Sequence, residues 1–230
     1  MSISPETISS NLAAIRQRIA EAAQRSGRSE SDIQLVAVTK YVDADITRML
    51  VQAGCNTLGE SRPQVLWKKA DELADCQIQW HQIGHMQRNK LARTLPLISL
   101  LHSVDSERLL ESVDEQSAKL GVTSNILLEV NISGDESKHG FAPAELPMAL
   151  EKSANLANVS VNGIMGMASR VGGVDRARRD FAALRELRDS LAPNYASEML
   201  TEISMGMSGD FDVAIEEGAT IVRVGSALFG

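Results

Sequence analysis

Apolar runs and amphipathic segments alternate along most of the 230-residue chain. The run IQLVAVT at residues 33–39 is typical of a strand buried on both faces, and a helical pattern follows it from residue 43. The same alternation predicts further strands at 57–60, 79–84, 100–104, 126–131, 161–167, 200–205 and 221–224.

Helical spacing of apolar residues predicts a helix after each of the first seven strands, at 43–54, 63–73, 88–95, 105–120, 143–156, 174–191 and 211–217. Another helix, with Ser4 as its N-cap and Gly27 at its end, precedes the first strand. Eight strands that alternate with helices predict an α/β fold, a single (β/α)8 TIM-type barrel with an additional N-terminal helix. A doubly wound open sheet is the alternative. No linker divides the chain, so we expect one domain over residues 1–230.

Composition narrows the classes of function. A formal net charge of −7 argues against nucleic-acid binding, and two tryptophans, two tyrosines and four phenylalanines offer few rings for stacking bases. The N-terminus lacks a basic segment followed by an apolar one, and no apolar stretch is long enough to span a bilayer. We therefore expect a cytoplasmic protein that binds neither nucleic acid nor membrane. Cys55 and Cys76 show no metal-binding spacing and are interpreted as small hydrophobic residues.

Lys40 stands at the carboxyl end of the first predicted strand, which in a barrel is the end where active sites lie. A lysine there can lose its proton or form a Schiff base, because either change removes most of the free-energy cost of burying its charge. The alternative is a lysine whose stem lies along the strand end while its ammonium stays in water. Lys40 alone favours that alternative, so the case for chemistry depends on the other strand ends.

Glycine and serine follow the last two strands, as Ser208-Gly209 and Gly225-Ser226. Glycine lets backbone N–H groups approach an anion, serine adds a hydroxyl donor, and a helix N-terminus favours negative charge. Each loop alone is better explained by a tight turn with a helix cap. Together they lie after strands seven and eight, where barrels usually hold phosphate, and they predict a phosphate site.

Five segments resemble the pyridoxal phosphate homeostasis protein family, and the resemblance covers nearly the whole chain. The segments are VAVTK at 36–40, GES at 59–61, WHQIG at 80–84, GMSGDF at 206–211 and VRVGSALFG at 222–230. The resemblance implies the barrel fold of the alanine racemase N-terminal domain and pyridoxal 5′-phosphate as the cofactor. It implies that Lys40 forms the internal aldimine. Ser208, Gly225 and Ser226 would hold the phosphate.

The resemblance also places Arg223 against the pyridine nitrogen, where a cation disfavours protonation of the ring and weakens it as an electron sink. Met207, Ser61 and His81 complete the cofactor-binding residues that it implies. Met207 is interpreted as part of the cofactor wall. The family usually has Gly-Glu-Asn where this chain has Gly-Glu-Ser at 59–61, so the amide hydrogen bond of an asparagine becomes a shorter hydroxyl bond or is lost.

The HxxxH pattern of His81 and His85 suggests a metal site, because two such histidines share one face of a helix. Gly84 disfavours a helix there, and His81 falls in a predicted strand. His102 and His139 add no recognisable ligand spacing. We therefore predict no metal site.

Two functions of different classes follow from the resemblance. The favoured one is a monomeric protein of intracellular pyridoxal phosphate homeostasis, which carries the cofactor without turnover and passes it to apo-enzymes. The alternative is an amino-acid racemase or isomerase, which needs a second base; Tyr41 and Tyr195 are the only tyrosines available. A third hypothesis is an enzyme of another phosphorylated metabolite, with Lys40 as a general base or Schiff-base former.

Overall fold

Eight parallel strands close into a barrel in the computed structural model, which describes residues 3–135, 139–169 and 171–230. The strands pair in chain order, and β8 returns to β1 with Gln34 opposite Ile221. They are β1 (Gln34–Val38), β2 (Thr57–Glu60), β3 (Gln79–Gln82), β4 (Ile98–Val104), β5 (Ser124–Val130), β6 (Val159–Gly166), β7 (Glu202–Ser204) and β8 (Ile221–Val224). The predicted barrel is confirmed, and the open-sheet alternative is wrong because both edges of the sheet are paired.

Helices surround the barrel in the predicted order. They are α1 (Pro5–Arg25), α2 (Ala44–Gln52), α3 (Pro63–Glu72), α4 (Leu91–Thr94), α5 (Glu107–Leu120), α6 (Leu146–Ser153), α7 (Gly173–Leu191), α8 (Phe211–Glu216) and α9 (Ser226–Phe229). The helix predicted at 88–95 is shorter, with a 3₁₀ turn on each side of α4. No helix in the described part of the chain combines the length and apolar character needed to cross a membrane.

The additional N-terminal helix packs against the end of the chain. Ser4 caps α1 by accepting the N–H of Thr7, as its sequence predicts. The helix buries an apolar stripe that includes Ile8, Leu12 and Ile15. Beside this stripe, the Asn11 side chain donates to the Leu228 carbonyl of α9 at 3.0 Å. The N-terminal helix therefore supports the C-terminal segment that carries the predicted phosphate loop.

An apolar cluster fills the barrel interior, formed by Val36, Leu100, Leu127, Met165 and Ile221. Side chains two positions apart on a strand point to the same face, so the next inward residues toward the carboxyl ends of the strands are two positions further along. On β4, β5 and β8 these next residues are His102, Glu129 and Arg223, all buried. A polar layer therefore lies directly above the apolar one, at the end of the barrel where the predicted site lies.

Two glycines allow neighbouring backbones to touch near this layer. A Cβ on Gly163 of β6 would lie 1.9 Å from the backbone oxygen of Glu202 on β7. A Cβ on Gly84, after β3, would lie 2.3 Å from the backbone oxygen of Ser61, after β2. The chain segments that follow β2 and β3 therefore meet at the mouth of the barrel.

Candidate functional site

Predicted site residues follow four strands that are neighbours in the closed barrel, β7, β8, β1 and β2. Ser208 follows β7, Gly225 follows β8, Lys40 follows β1 and Ser61 follows β2. All four lie at the carboxyl ends of parallel strands, so the fold brings them to one sector of the barrel mouth.

Lys40 is exposed two residues beyond β1, and no described residue forms an ion pair or hydrogen bond with its ammonium. Its Nζ lies 5.0 Å from the centre of the Tyr41 ring, which is itself 86% exposed. The amine therefore remains free to react with a ligand that enters the mouth.

A buried ion pair holds the backbone next to Lys40. Lys69 of α3 donates through Nζ to Oε1 of Glu60 and to the carbonyl oxygen of Thr39, both at 2.6 Å. The Thr39 hydroxyl donates to the same Glu60 oxygen at 2.6 Å. The Thr39 carbonyl belongs to the peptide that joins Thr39 to Lys40, so Lys69 and Glu60 fix the start of the reactive segment. Sequence reasoning missed this pair, since a lysine at a polar helix position gives no sign of burial.

The loops after β7 and β8 meet through Ser208. Its Oγ accepts the backbone N–H of Gly225 at 3.1 Å and of Ala227 at 3.4 Å. No described residue accepts the hydroxyl proton of Ser208, which leaves that proton available to an anion. Gly225 lies close to β1, where a Cβ would come within 3.2 Å of both Cβ and the carbonyl oxygen of Val38. The Ser226 side chain is exposed at the same place.

Met207 belongs to a tight turn that presents Ser208. Its N–H donates to Oδ1 of Asp210 at 2.6 Å, and its carbonyl accepts the N–H of Asp210 at 3.0 Å. Gly206 precedes the turn with φ of 89°, in the left-handed region that favours glycine. The Met207 side chain is 42% exposed and borders the mouth. Its predicted place in the cofactor wall stays a prediction.

Arg223 lies inside the barrel rather than in the exposed mouth. Its guanidinium donates to the Ser204 hydroxyl on β7 and to the Gly166 carbonyl on β6. The Ser204 hydroxyl also meets Nδ1 of His102 at 2.9 Å, and Nε2 of His102 meets Nδ1 of His81 at 2.9 Å. A chain of hydrogen bonds thus joins two predicted residues, Arg223 and His81, through two that sequence reasoning did not place in the site.

Burial determines the protonation states of the side chains in this series of hydrogen bonds. It lowers the pKa of His81 to about 4. Burial also lowers the pKa of His102 well below its ordinary value, and the neighbouring His81 and Arg223 lower it further. Both imidazoles are therefore neutral near pH 7. Burial lowers the pKa of Arg223 to about 10, although Glu129 and Asp210 oppose that effect, so the guanidinium keeps its charge.

Glu129 is the acidic side chain of the polar layer. Burial, and to a smaller degree the charge of Asp105, raises its pKa to about 7, while Arg223 and His85 act in the opposite direction. Sequence reasoning placed Glu129 in a strand and gave it no role. Its inward position becomes evident only from the register of the barrel.

Ser61 is half-buried beside the start of α3. Its carbonyl accepts a hydrogen bond from Nε2 of Gln82 at 3.2 Å, and the same nitrogen donates to the Gly84 carbonyl at 3.1 Å. The fully buried Gln82 therefore holds together the segments after β2 and β3, and Ser61 takes part through its backbone carbonyl. Within the described part of the chain no hydrogen bond joins the Ser61 hydroxyl to Lys40, so its predicted role at the cofactor stays a prediction.

The four histidines form two separate pairs. His81 lies with His102 in the interior, whereas His85 is exposed at the rim and stacks on His139, with ring centres 4.4 Å apart. The HxxxH pattern therefore does not bring His81 and His85 together, as the predicted strand at His81 indicates. The spacing of His139 in the sequence gives no sign of a partner, and the fold places it beside His85.

Known proteins resemble this chain over its whole length. The family model for the alanine racemase N-terminal domain matches residues 10–230. The pyridoxal phosphate homeostasis protein of Aquifex aeolicus is 38% identical over 219 residues, which cover 95% of this chain and 96% of that protein. The protein of the same name in Pseudomonas aeruginosa is 39% identical over 224 residues, covering 97% and 95%. The chain belongs to the pyridoxal phosphate homeostasis protein family.

Solved structures also resemble this chain. PipY of Synechococcus elongatus, determined with pyridoxal phosphate bound, matches with a TM-score of 0.85 at 32% identity and covers 97% of this chain and 100% of PipY. Alanine racemase of Clostridium difficile matches with a TM-score of 0.75 at 13% identity, over 57% of its own chain, and therefore supports the fold alone. The predicted family and its racemase-like barrel are confirmed.

The residues present fit pyridoxal phosphate on chemical grounds. The phosphate requires N–H and hydroxyl donors, which the Gly225 loop and Ser208 supply. The aldehyde requires an amine that is free to react, and Lys40 is exposed and unpaired within the described structure. Lys40 and Gly225 follow β1 and β8, which are directly hydrogen bonded, so the amine and the phosphate loop lie at the ends of adjacent strands.

Proposed function

We propose that this chain binds pyridoxal 5′-phosphate and serves its homeostasis, holding the cofactor without catalytic turnover. One observation carries the proposal: the free amine of Lys40 follows β1, Gly225 follows the adjacent strand β8, and Ser208 follows β7, the next strand beyond β8. A cofactor with an aldehyde at one side and a phosphate at the other requires such a pair of sites.

The proposed roles follow from the contacts. Lys40 would bind the aldehyde carbon through its amine, with the aldehyde oxygen leaving as water, while Ser208 would donate its free hydroxyl proton to the phosphate. The backbone N–H and the hydroxyl of Ser226 would complete the phosphate site beside Gly225, whose own N–H is donated to Ser208 and so positions that hydroxyl. Bound pyridoxal phosphate supplies an electron sink whose strength depends on protonation of its ring nitrogen. Arg223 stays charged and can only donate, so a ring nitrogen beside it remains unprotonated and the sink stays weak.

The cellular proposal is that of a carrier. The protein would act as a monomer in the cytoplasm, as one domain over residues 1–230, and pass the cofactor to apo-enzymes that need it. Light scattering on purified protein should give the mass of one chain. Mixing the loaded protein with an apo-enzyme should restore activity faster than an equal concentration of free cofactor, and equal rates would contradict direct transfer.

Absorbance and reduction test the binding itself. The parent protein, incubated with pyridoxal phosphate, should gain a visible band that borohydride removes, and peptide mapping should then locate the cofactor on Lys40. Lys40→Ala should show neither. Lys68→Ala is the matched control, because Lys68 has a side chain 74% exposed on α3 and should leave the band intact. A band that survives in Lys40→Ala, or a colourless parent, would overturn the proposal.

The racemase alternative needs a second base, and the structure favours only Tyr41 for that role. Its ring lies beside Lys40, whereas the Tyr195 hydroxyl donates to the Pro147 carbonyl at 3.3 Å. Exchange of the α-proton of alanine with solvent deuterium, followed by NMR, separates the two functions. A carrier should show no exchange at a catalytic rate. Rapid exchange that Tyr41→Phe abolishes would establish the enzyme instead.

A further inference from the structure

Three potential metal ligands meet at the barrel mouth on loops after β3, β4 and β5. Nδ1 of His85 lies 2.8 Å from Oδ2 of Asp105, and Nδ1 of His139 lies 3.9 Å from the same oxygen. One ligand atom from each of the three side chains falls within 4.8 Å of the other two. The cluster is separate from Lys40 and Ser208, which follow strands on the opposite part of the barrel.

The spacing of these atoms suits one small cation. Zinc binds histidine nitrogen and carboxylate oxygen at about 2.1 Å, so two ligand atoms on a tetrahedral zinc are roughly 3.4 Å apart. The distances of 2.8 Å and 3.9 Å lie on either side of that value. Both imidazoles are exposed at the rim, so their side chains can turn to equalise the two distances.

The surroundings also favour a built cluster over a chance approach. The other carboxylate oxygen of Asp105 accepts the Ser106 hydroxyl at 3.1 Å, which orients the ligand oxygen as an outer-shell partner does. Asp105, at the start of the helix predicted over 105–120, suits a helix cap by its residue type, but Ser106 takes that role by accepting the Leu109 N–H, so the carboxylate is free to face the histidines. The two imidazoles stack with their planes inclined by 21°, and the Nδ1 atom of each lies within 4 Å of the same Asp105 oxygen. Because ring lone pairs lie in the ring planes, one imidazole must turn out of the stack when an ion binds.

We propose that His85, Asp105 and His139 form a binding site for a divalent transition-metal ion of the zinc type. Two imidazoles and one carboxylate leave a fourth position for water or a ligand at the mouth. Magnesium and calcium, which prefer oxygen ligands, should bind poorly. The ion would join three loops across the mouth from the Lys40 side. This proposal does not depend on cofactor binding.

Calorimetric titration of the full-length, tag-free protein with Zn²⁺ tests the site. We expect one ion per chain, not displaced by excess Mg²⁺, and a visible spectrum with Co²⁺ typical of tetrahedral coordination. Loss of an outer-shell partner alone typically weakens metal affinity by about 10- to 100-fold, so His85→Ala, His139→Ala and Asp105→Asn should each weaken it by at least about tenfold.

Asp71→Asn is the matched control, because Asp71 has a side chain 72% exposed on α3, away from the cluster, and should bind Zn²⁺ like the parent. Lys40→Ala should also keep the parent affinity, which separates a failure of this site from a failure of cofactor binding. Circular dichroism confirms that each variant is folded. Absence of binding, or affinity that the three ligand variants leave unchanged, would overturn the proposal.

Discussion

Replacement of Glu129 by glutamine should make the protein more stable at neutral and alkaline pH. Glu129 is only 5% exposed, and its pKa rises from the ordinary 4.5 to about 7 when the chain folds. The folded state therefore favours the protonated acid, and ionisation works against folding. Glutamine has nearly the same size and is never charged, so it preserves the packing and removes the ionisation.

The pKa change sets the size of the effect. Each unit of pKa corresponds to about 1.4 kcal/mol, so a rise from 4.5 to about 7 corresponds to about 3 kcal/mol. The contribution is fully present below the unfolded pKa and is lost as the pH rises through the folded pKa. We therefore expect the stability gained by Glu129→Gln to be near zero below about pH 4.5 and to reach about 3 kcal/mol above about pH 7.5.

Urea denaturation of parent and variant across this pH range, at equal cofactor occupancy, measures the difference. His81 and His102 also titrate, since burial lowers their pKa values, and their neutral forms make the folded state less stable as the pH falls below about 6.5. Both histidines are present in both proteins, so their effect cancels. Glu115→Gln, at an exposed position on α5, should show a difference that does not vary with pH.

A difference between Glu129→Gln and the parent that stays flat within about 1 kcal/mol would refute the reasoning. Loss of stability in the variant at high pH would refute it more strongly. That result would mean that Arg223 stabilises the ionised carboxylate by more than burial disfavours it.

Three further changes test other parts of the structure. Lys69→Met leaves the buried Glu60 carboxylate without its cation and should lower the free energy of unfolding, measured in urea, by about 3–5 kcal/mol. Adding Glu60→Gln to this variant should recover part of the loss. If no stability is recovered, the ion pair is not the cause. Gly163→Ala places a Cβ 1.9 Å from a backbone oxygen of β7 and should lower stability by more than about 2 kcal/mol. Gly209→Ala, which meets no atom within 4 Å, should change stability little, and equal thermal midpoints for the two variants would contradict the strand contact. Ser208→Ala should raise the dissociation constant of pyridoxal phosphate about tenfold or more in spectrophotometric titration, because a hydrogen bond to a charged group contributes about 1.5–3 kcal/mol; an unchanged constant would remove Ser208 from the phosphate site.

Local sequence patterns predicted which residues lie at the strand ends better than they predicted the buried contacts between side chains of different elements. The sequence placed Lys40 and Ser208 at strand ends correctly, because strand ends, glycine and serine leave a signal within a few residues of sequence. The ion pair of Glu60 and Lys69 left none, since burial of Lys69 arises only when α3 packs across β1 and β2. Periodicity also cannot show which residues face inward across a bulge, as between Ile126 and Leu127.

The cluster of His85, Asp105 and His139 was missed for a related reason. His85 was compared with His81, its neighbour in sequence, although the barrel places His85 beside His139, two strands further on. A spacing rule such as HxxxH detects ligands on one helix and is blind to ligands gathered by loops of different strands. The Asp105 cap illustrates the same limit, because either Asp105 or Ser106 satisfies the local pattern and only the fold assigns the cap to Ser106.

The hydrogen bonds inside the barrel have a direction, and Arg223 sets it. Arginine can only donate, so the Ser204 oxygen accepts from it, and the buried Ser204 proton goes to Nδ1 of His102, its other partner. A neutral His102 that accepts at Nδ1 carries its proton on Nε2 and donates it to Nδ1 of His81. His81 is then left with its proton on Nε2. It can therefore offer a hydrogen bond to an oxygen, but it cannot accept a proton there, so the fixed charge on β8 decides the tautomer of a residue on β3.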